Sequence, residues 1–580
     1  MNSSRLTLTV LALAACLGAA NAQTFNPSVE VTNAYEGKPV DARKQDLAMQ
    51  IPDSLLVFDY DFDYSVFDNP YKGSYEFSPY LINMKPEPVP YAGRNFYLRA
   101  GAGYSLHPEL AVMYAPKTSG RWKLDFYDSF QGYMGAYRHI RGYEFSSREG
   151  YLADNHDGRT FSGRDLENDL GLNLRGDFRR SALTLGVNYK LLTVADTVVT
   201  HLYNEASARL RFALKPGLKA TFEAVAEGKI GGDNMTYMGN GYALGNKEVN
   251  ARFLAGAEIL PDTRFLVEAG TAVGVYSRVI VTSVADVWAT PKLAWSHGPL
   301  TVSAGVKFAH IFAWDPKSKS LVPQHQKQSA LLYPDAHLNL RILDQGLSLY
   351  ADATGGNDIN AFSKLLARNH FFNQVYQLSY SWVPTLDNTV VRYKVAAGLR
   401  GQVAGALQYN LFASYAYIEN NLLDGLLIST RTPVNPVPLA AAFSYEDTKL
   451  LTAGVDLAWK SDRIAAAGNF RYNKAEYLDT STRINDVLYV PLPDFTAEGS
   501  VTYNWAERIY VGVSADFASE RAAFFVVPSY VDLGVSAEYR FDRRTSFWAK
   551  GGNLLNQTIQ KSLTRAENGM YFTAGICLNF

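Results

Sequence analysis

Outside its first 22 residues the 580-residue chain has no run of 18 or more apolar residues, so no transmembrane helix is open to it. Cysteine is nearly absent. Cys16 and Cys577 are the two in the chain, and with Cys16 in a leader no intramolecular disulfide is left to the mature protein. No charge of one sign dominates: 55 Lys and Arg stand against 56 Asp and Glu. That balance excludes nucleic acid and a polybasic membrane-surface role. Catalytic signatures are missing too: no His-Glu-x-x-His, Walker loop, Gly-x-Ser-x-Gly or paired-cysteine spacing occurs. No catalytic residue, cofactor or metal is therefore assigned. The nine histidines are scattered; His139, His156 and His370 fall in long loops and His337 on a polar strand face, and they read as solvated side chains rather than metal ligands. Asp59, Asp61 and Asp63 alternate with aromatics but lack the glycine and distal glutamate of a calcium loop.

What the sequence holds in quantity is aromatic residues and alternation. Tyrosine (37) and phenylalanine (31) are abundant, which suits antiparallel strands with aromatic belts. Val531, Leu533, Val535, Ala537, Tyr539 and Phe541 interleave with Asp532, Gly534, Ser536, Glu538 and Arg540. The same period of two recurs at Leu170–Arg175, Ala208–Phe212, Leu338–Ile342 and Leu451–Trp459. A charge on every second residue of an otherwise apolar strand requires one face on lipid and the other on water. Short polar turns alternate with longer connections for ten rounds, among them Phe178–Ser181, Pro261–Thr263, Lys460–Arg463, Trp505–Arg508 and Phe541–Arg544 against Gly132–Asp165, Glu227–Lys247, Gly355–Asn388 and Glu419–Glu446. Tight periplasmic turns and longer outer loops are the pattern of an outer-membrane barrel.

The fold class expected is all-β: a transmembrane antiparallel β-barrel of about 22 strands, with 20 as the alternative count, and no complete plug domain. Three segments follow. Residues 1–22 read as a signal peptide, with Arg5, an apolar run and Ala20-Asn21-Ala22; a lipoprotein box ending at Cys16 is the competing reading. Residues 23–92 form a short periplasmic or lumen-inserted segment, and 93–580 the barrel. Parity places Arg175, Arg209, Arg211, Arg341, Asp456, Arg471, Asp532, Glu538 and Arg540 on the lumen side. It places Trp122, Trp295, Trp459 and Trp505 on the apolar face beside short turns, as an interfacial girdle. Trp548 has the opposite parity and points inward, without a reason in the sequence. Within Gly355–Asn388, Asp358 or Asn360 is placed to cap a short helix with Phe362, Leu365 and Leu366 on one stripe. Such a helix can constrict the lumen, meet a surface partner or merely pack on neighbouring loops.

Gly552-Asn553-Leu554-Leu555-Asn556, a polar loop, and Gly569-Met570-Tyr571-Phe572 running to Phe580 together resemble the closing strands of TonB-dependent receptors. Asn95–Gly103 resembles the first strand of plugless receptor-like barrels of the Bacteroidota type. Ser363-Lys364-Leu365-Leu366 and Arg368–Phe372 are similar to a stretch of the same group. The resemblance implies the outer membrane of a Gram-negative bacterium, import-type ancestry, and a terminal assembly signal in Phe572, Ile576, Leu578 and Phe580 read by the barrel-assembly machinery. Outer-membrane lipids are then the surroundings. With no segment of plug size, coupling to TonB is not expected. The function expected is a partly occluded transport channel for small solutes. The alternative is an accessory or anchor subunit for an outer-membrane lipoprotein or second barrel; a hydrolase on the barrel wall is a weak third.

Overall fold

Alternation predicts strands, and strands account for nearly all regular structure in the computed structural model. It describes residues 95–580 apart from 119, 141–144, 147–149, 153–155, 197–198, 216–217, 238, 279–282, 315–329, 344–345, 373–387, 429–437, 479–486, 523–524 and 562–565. The expected leader with Cys16, the Asp59–Asp63 stretch and the rest of the segment before residue 93 lie outside the described residues, as do the side chains of His139 and His156.

The strands run β1 (Phe96–Tyr104), β2 (Glu109–Tyr114), β3 (Trp122–Ile140), β4 (Phe145–Ser146), β5 (Gly150–Leu152), β6 (His156–Asp177), β7 (Ser181–Ala195), β8 (Val199–Leu214) and β9 (Ala220–Tyr237). Then come β10 (Asn240–Leu260), β11 (Thr263–Arg278), β12 (Ser283–His297), β13 (Leu300–Trp314), β14 (Ala330–Leu343) and β15 (Leu347–Ile359), followed by the helix α1 (Phe362–Arg368). The chain continues through β16 (Asn388–Val403), β17 (Leu407–Ile428), β18 (Pro438–Lys460), β19 (Ile464–Leu478), β20 (Val487–Tyr489) and β21 (Phe495–Trp505). Last are β22 (Ile509–Ala518), β23 (Arg521–Ala522), β24 (Phe525–Val527), β25 (Tyr530–Arg540), β26 (Thr545–Gly552) and β27 (Tyr571–Asn579).

Each barrel strand pairs antiparallel with the next, and β27 returns to β1 in register Tyr97↔Asn579 to Tyr104↔Phe572. The ring is a closed barrel of 22 strands. Closure leaves no open edge, the condition for a sheet in lipid. It is tied at the terminus: Phe580 N–H donates to Phe96 O at 2.9 Å, and Phe580 O accepts from Asn95 N–H at 2.7 Å. Outside the ring, β20 adds to β17, while β4, β5, β23 and β24 make a separate four-stranded sheet.

The expected short turns fall between strands. Ala506 and Glu507 both have positive φ, 53° and 58°, the geometry of a two-residue turn that matches strand twist. In the β25–β26 turn, the Asp542 carboxylate accepts N–H groups of Arg544 (2.7 Å) and Thr545 (2.6 Å), which hold its pKa below the ordinary aspartate value. The long connections differ from expectation. β3 extends to Ile140 and β6 starts at His156; β9 ends at Tyr237 and β10 starts at Asn240; β17 reaches Ile428 and β18 starts at Pro438. Beyond the apolar band both faces are wet, so the alternation of hydrophobicity fades while the backbone ladder continues.

One face of the ring carries the exposed large apolar residues, including Trp122, Trp295, Trp459 and Trp505. Trp548 is on the other face and only 3% exposed. The Arg99 guanidinium lies 4.0 Å over its ring, and Gly101 makes room for it, since a Cβ there would come within 2.4 Å of the indole. The inward tryptophan is thus a cation–π partner seated over a glycine.

A candidate occlusion of the barrel bore

The inward face is polar and many of its charges are paired. Arg211 Nε–H donates to Glu223 at 2.8 Å. Asp456 pairs with Arg471 and accepts from Asn410 at 3.0 Å; Arg471 lies 4.8 Å over Phe412. Asp532 accepts the Asn553 N–H at 3.0 Å. Arg540 stands 3.8 Å from Glu538 and 4.2 Å over Tyr510. Arg341 donates to Gly298 O at 3.0 Å, beside a short turn. Arg175 is half-buried between Lys123 and Thr184 in register, and Arg209 is exposed.

A belt of alternating charge across eight consecutive strands, β8 to β15, escapes sequence reading. It begins with Arg211–Glu223. Arg252 then reaches Glu223 at 4.0 Å and Glu268 at 3.0 Å, and Lys292 reaches Glu268 at 2.7 Å and Asp335 at 3.8 Å. His337 follows, 3.4 Å from Asp335 and 2.8 Å from Asp352. Lys292 is on β12 and Asp335 on β14, with Gly305 of β13 in register between them. A Cβ on Gly305 would stand 2.6 Å from the Lys292 Cβ, so the glycine opens the path across β13. Charged residues at one parity are visible in these strands, but which of them meet depends on register.

Across this lined bore lies the described part of the connection that follows β15, residues 360–372. Phe362, Leu365 and Leu366 occupy one stripe of α1 at the i, i+3, i+4 spacing and are 0%, 0% and 1% exposed. A seven-residue helix does not hold itself in water; this one is held by the walls. The expected caps are not used. Ala361 is the N-cap and offers no side chain, because Asp358 is paired with Lys364 and Asn360 donates to Thr389 Oγ1 at 3.0 Å.

The wall contacts come from seven strands on two sides of the ring. Phe362 N–H donates to the Tyr276 hydroxyl of β11 at 3.2 Å, and its ring meets Tyr203 of β8 at 5.7 Å. Ser363 N–H donates to Glu248 of β10 at 3.1 Å, and its hydroxyl donates to the same carboxylate. Arg368 pairs with Asp424 of β17 at 3.2 Å. His370 meets Asp165 of β6 at 2.9 Å, so this histidine is a wall contact rather than the solvated loop residue expected. Phe371 packs on Tyr137 of β3 at 6.2 Å and Phe372 on Phe443 of β18 at 5.0 Å. Counted from β1, β6 is fourth in the ring and β17 fifteenth, eleven places apart in a ring of 22. The segment from Phe362 to Phe372 therefore touches opposite walls. Asp165 is twelve residues from the short-turn end of β6. At ~3.3 Å per residue and about 40° of tilt this is a climb of roughly 30 Å, past the ~25 Å apolar band.

Asn553 holds residues on both sides of the polar loop that follows it. Its amide donates to Gln557 O (2.8 Å) and Asn568 O (3.1 Å) and its oxygen accepts Gln557 N–H (3.0 Å), which gives the Asn-Leu-Leu-Asn stretch a local structural role. Among the described residues no group of three or more His, Cys, Asp or Glu side chains could hold a metal ion.

No protein-family model and no curated protein matches the chain. Solved structures do. The copper transporter OprC is similar over 84% of this chain and 83% of its own, at 12% identity and a TM-score of 0.60. The FrpB iron transporter from Neisseria meningitidis, in its apoprotein form, gives 84% and 81%, 10% identity and 0.60. The ferric-catecholate import receptor Fiu from K12 E. coli, in a closed form, gives 84% and 82%, 10% identity and 0.57. At such identities the likeness establishes the fold alone: a closed 22-strand antiparallel β-barrel of the kind these transporters and receptors have.

Proposed function

We propose that this chain is a transport barrel of a Gram-negative outer membrane, a channel for small solutes partly occluded at its outer end by its own segment Phe362–Phe372. The observation that carries the reading is the segment Phe362–Phe372 bonded to walls eleven places apart. The wall beneath it supports the reading. A ring this wide cannot be filled by its own side chains, and the paired charges along β8–β15 keep an inner surface that favours water. The structures it is similar to are transporters and receptors, and the reading contains no catalytic step. The nine residues that parity assigns to the lumen side serve here as bore lining, and Phe362, Leu365 and Leu366 as the seat of the occluding segment. A leader over 1–22, assembly through Phe572, Ile576, Leu578 and Phe580, and contact with outer-membrane lipids belong to the same proposal.

The test is conductance. Purified protein in planar bilayers is expected to show little steady current, and deletion of Ala361–Phe372 to raise it at least tenfold. A stably inserted deletion variant that stays silent overturns the channel and leaves the accessory-subunit role in its place.

A further inference from the structure

Among the described residues, the outward face carries an acid at mid-depth at one place. On β3 the outward residues are Trp122, Leu124, Phe126, Asp128, Phe130, Gly132 and Met134, set by the register Phe126↔Leu172 and Asp128↔Leu170 with exposed Leu170 and Leu172. Directly paired residues share a face, so the Asp128 carboxylate is on the lipid side. Asn168 of β6, in register with Phe130, is on the same side and donates an Nδ2–H to Asp128 Oδ1 at 2.8 Å. Six residues beyond the girdle Trp122, Asp128 stands about 15 Å up the wall, near the middle of the ~25 Å apolar band. The same step from the other girdle tryptophans, Trp295, Trp459 and Trp505, reaches Ala289, Ala453 and Gly499. An acid at that depth on the lipid face is a candidate functional position.

The pair leaves one Asn168 N–H, the Asn168 carbonyl and one Asp128 oxygen to satisfy, and hydrocarbon offers no partner for any of them. Donor and acceptor sit side by side, so the pair is its own complement. A copy turned about a two-fold axis along the membrane normal brings its acceptor to this donor and its donor to this acceptor, the arrangement of an isologous interface. A cation would serve as well, but the outward face of this chain carries none at that depth on its other girdle strands. We propose that the outer wall at β3 and β6 is a homodimer contact in which each Asn168 donates its second N–H to the second copy's Asp128. Exposed Leu170, Leu172, Val187 and Tyr189 form the surrounding apolar contact.

The experiment uses the full chain in its native membrane with Leu170→Cys and, as control, Leu399→Cys on β16, fourteenth in the ring and so on the far wall. Cys577 is buried and inward and does not interfere. A short bis-maleimide is expected to give an adduct of twice the chain mass with Leu170→Cys and none with Leu399→Cys. Adding Asp128→Leu and Asn168→Leu is expected to lower that adduct at least tenfold while heat-modifiable migration, the mark of a folded barrel, is unchanged. The proposal is overturned by no adduct although a lipid-soluble maleimide labels the site, by an equal yield from the double-leucine variant, or by an adduct of another protein's mass.

Discussion

Ser500 and Val501 are neighbours in β21 that experience different media. Val501 is on the exposed apolar face and Ser500 opposes Ser514 and Ala467 on the inward one. Val501→Arg is expected to destabilise the folded barrel by about 2–4 kcal/mol, the cost of a cation at mid-bilayer, and Ser500→Arg to leave it nearly unchanged; urea unfolding in lipid vesicles compares them. Ser536, an inward residue three positions from the outward Leu533, is a poorer comparator, since it is only 9% exposed and in register with Lys550, which pairs with Glu109. Gly305→Val tests the charge belt. Its side chain would displace Lys292 and leave Glu268 and Asp335 without their shared cation, so unfolding should shift to lower denaturant by about 2 kcal/mol or more. Lys292→Met in the same assay should reproduce most of that loss. If Gly305→Val unfolds like the wild type, the belt does not depend on the gap.

At the scale of elements, α1 and its flanks are the interesting case, because a seven-residue helix with no capping side chain depends on its contacts. Leu365→Asp puts a carboxylate where no exposure exists and removes a buried leucine worth about 1.5–3 kcal/mol. The segment is then expected to leave its seat, with conductance rising and protease cutting the β15–β16 connection in intact cells. Unchanged conductance and cleavage would mean that the helix is not held by its apolar stripe. Arg368→Ala should act in the same direction and more weakly, since its partner Asp424 is partly exposed and such pairs contribute on the order of 1 kcal/mol or less.

For the whole molecule, sidedness is the testable property. Ser461 lies in the short β18–β19 turn and Leu106 at the opposite end, in the β1–β2 hairpin, both exposed. Cysteines at Ser461 and Arg543 are expected to escape an impermeant maleimide on intact cells, and one at Leu106 to react. Labelling at Ser461 would invert the barrel. Two more obvious positions serve less well: Asp542 anchors its turn through two amides, and Asp424 is tied to Arg368. Thr480 lies outside the described residues.

By itself the sequence determined the all-β barrel class, a strand count of about 22, the short turns and the parity of most walls. These are local properties: a period of two, a tight turn and an aromatic beside it are written in neighbouring residues, and closure follows because a lipid-bound sheet can have no edge. The resemblance of Asn553–Asn556 to a family motif was legible, while the task of Asn553 in holding residues on both sides of the last loop was not. Tertiary structure alone decided what meets across the bore. His370 and Asp165 are 205 residues apart, Arg368 and Asp424 lie on either side of another strand, and Trp548 finds Arg99 only after β27 has joined β1. Alternation says which way a side chain points but is blind to register, and a shift of one strand against its neighbour would change every one of these pairs.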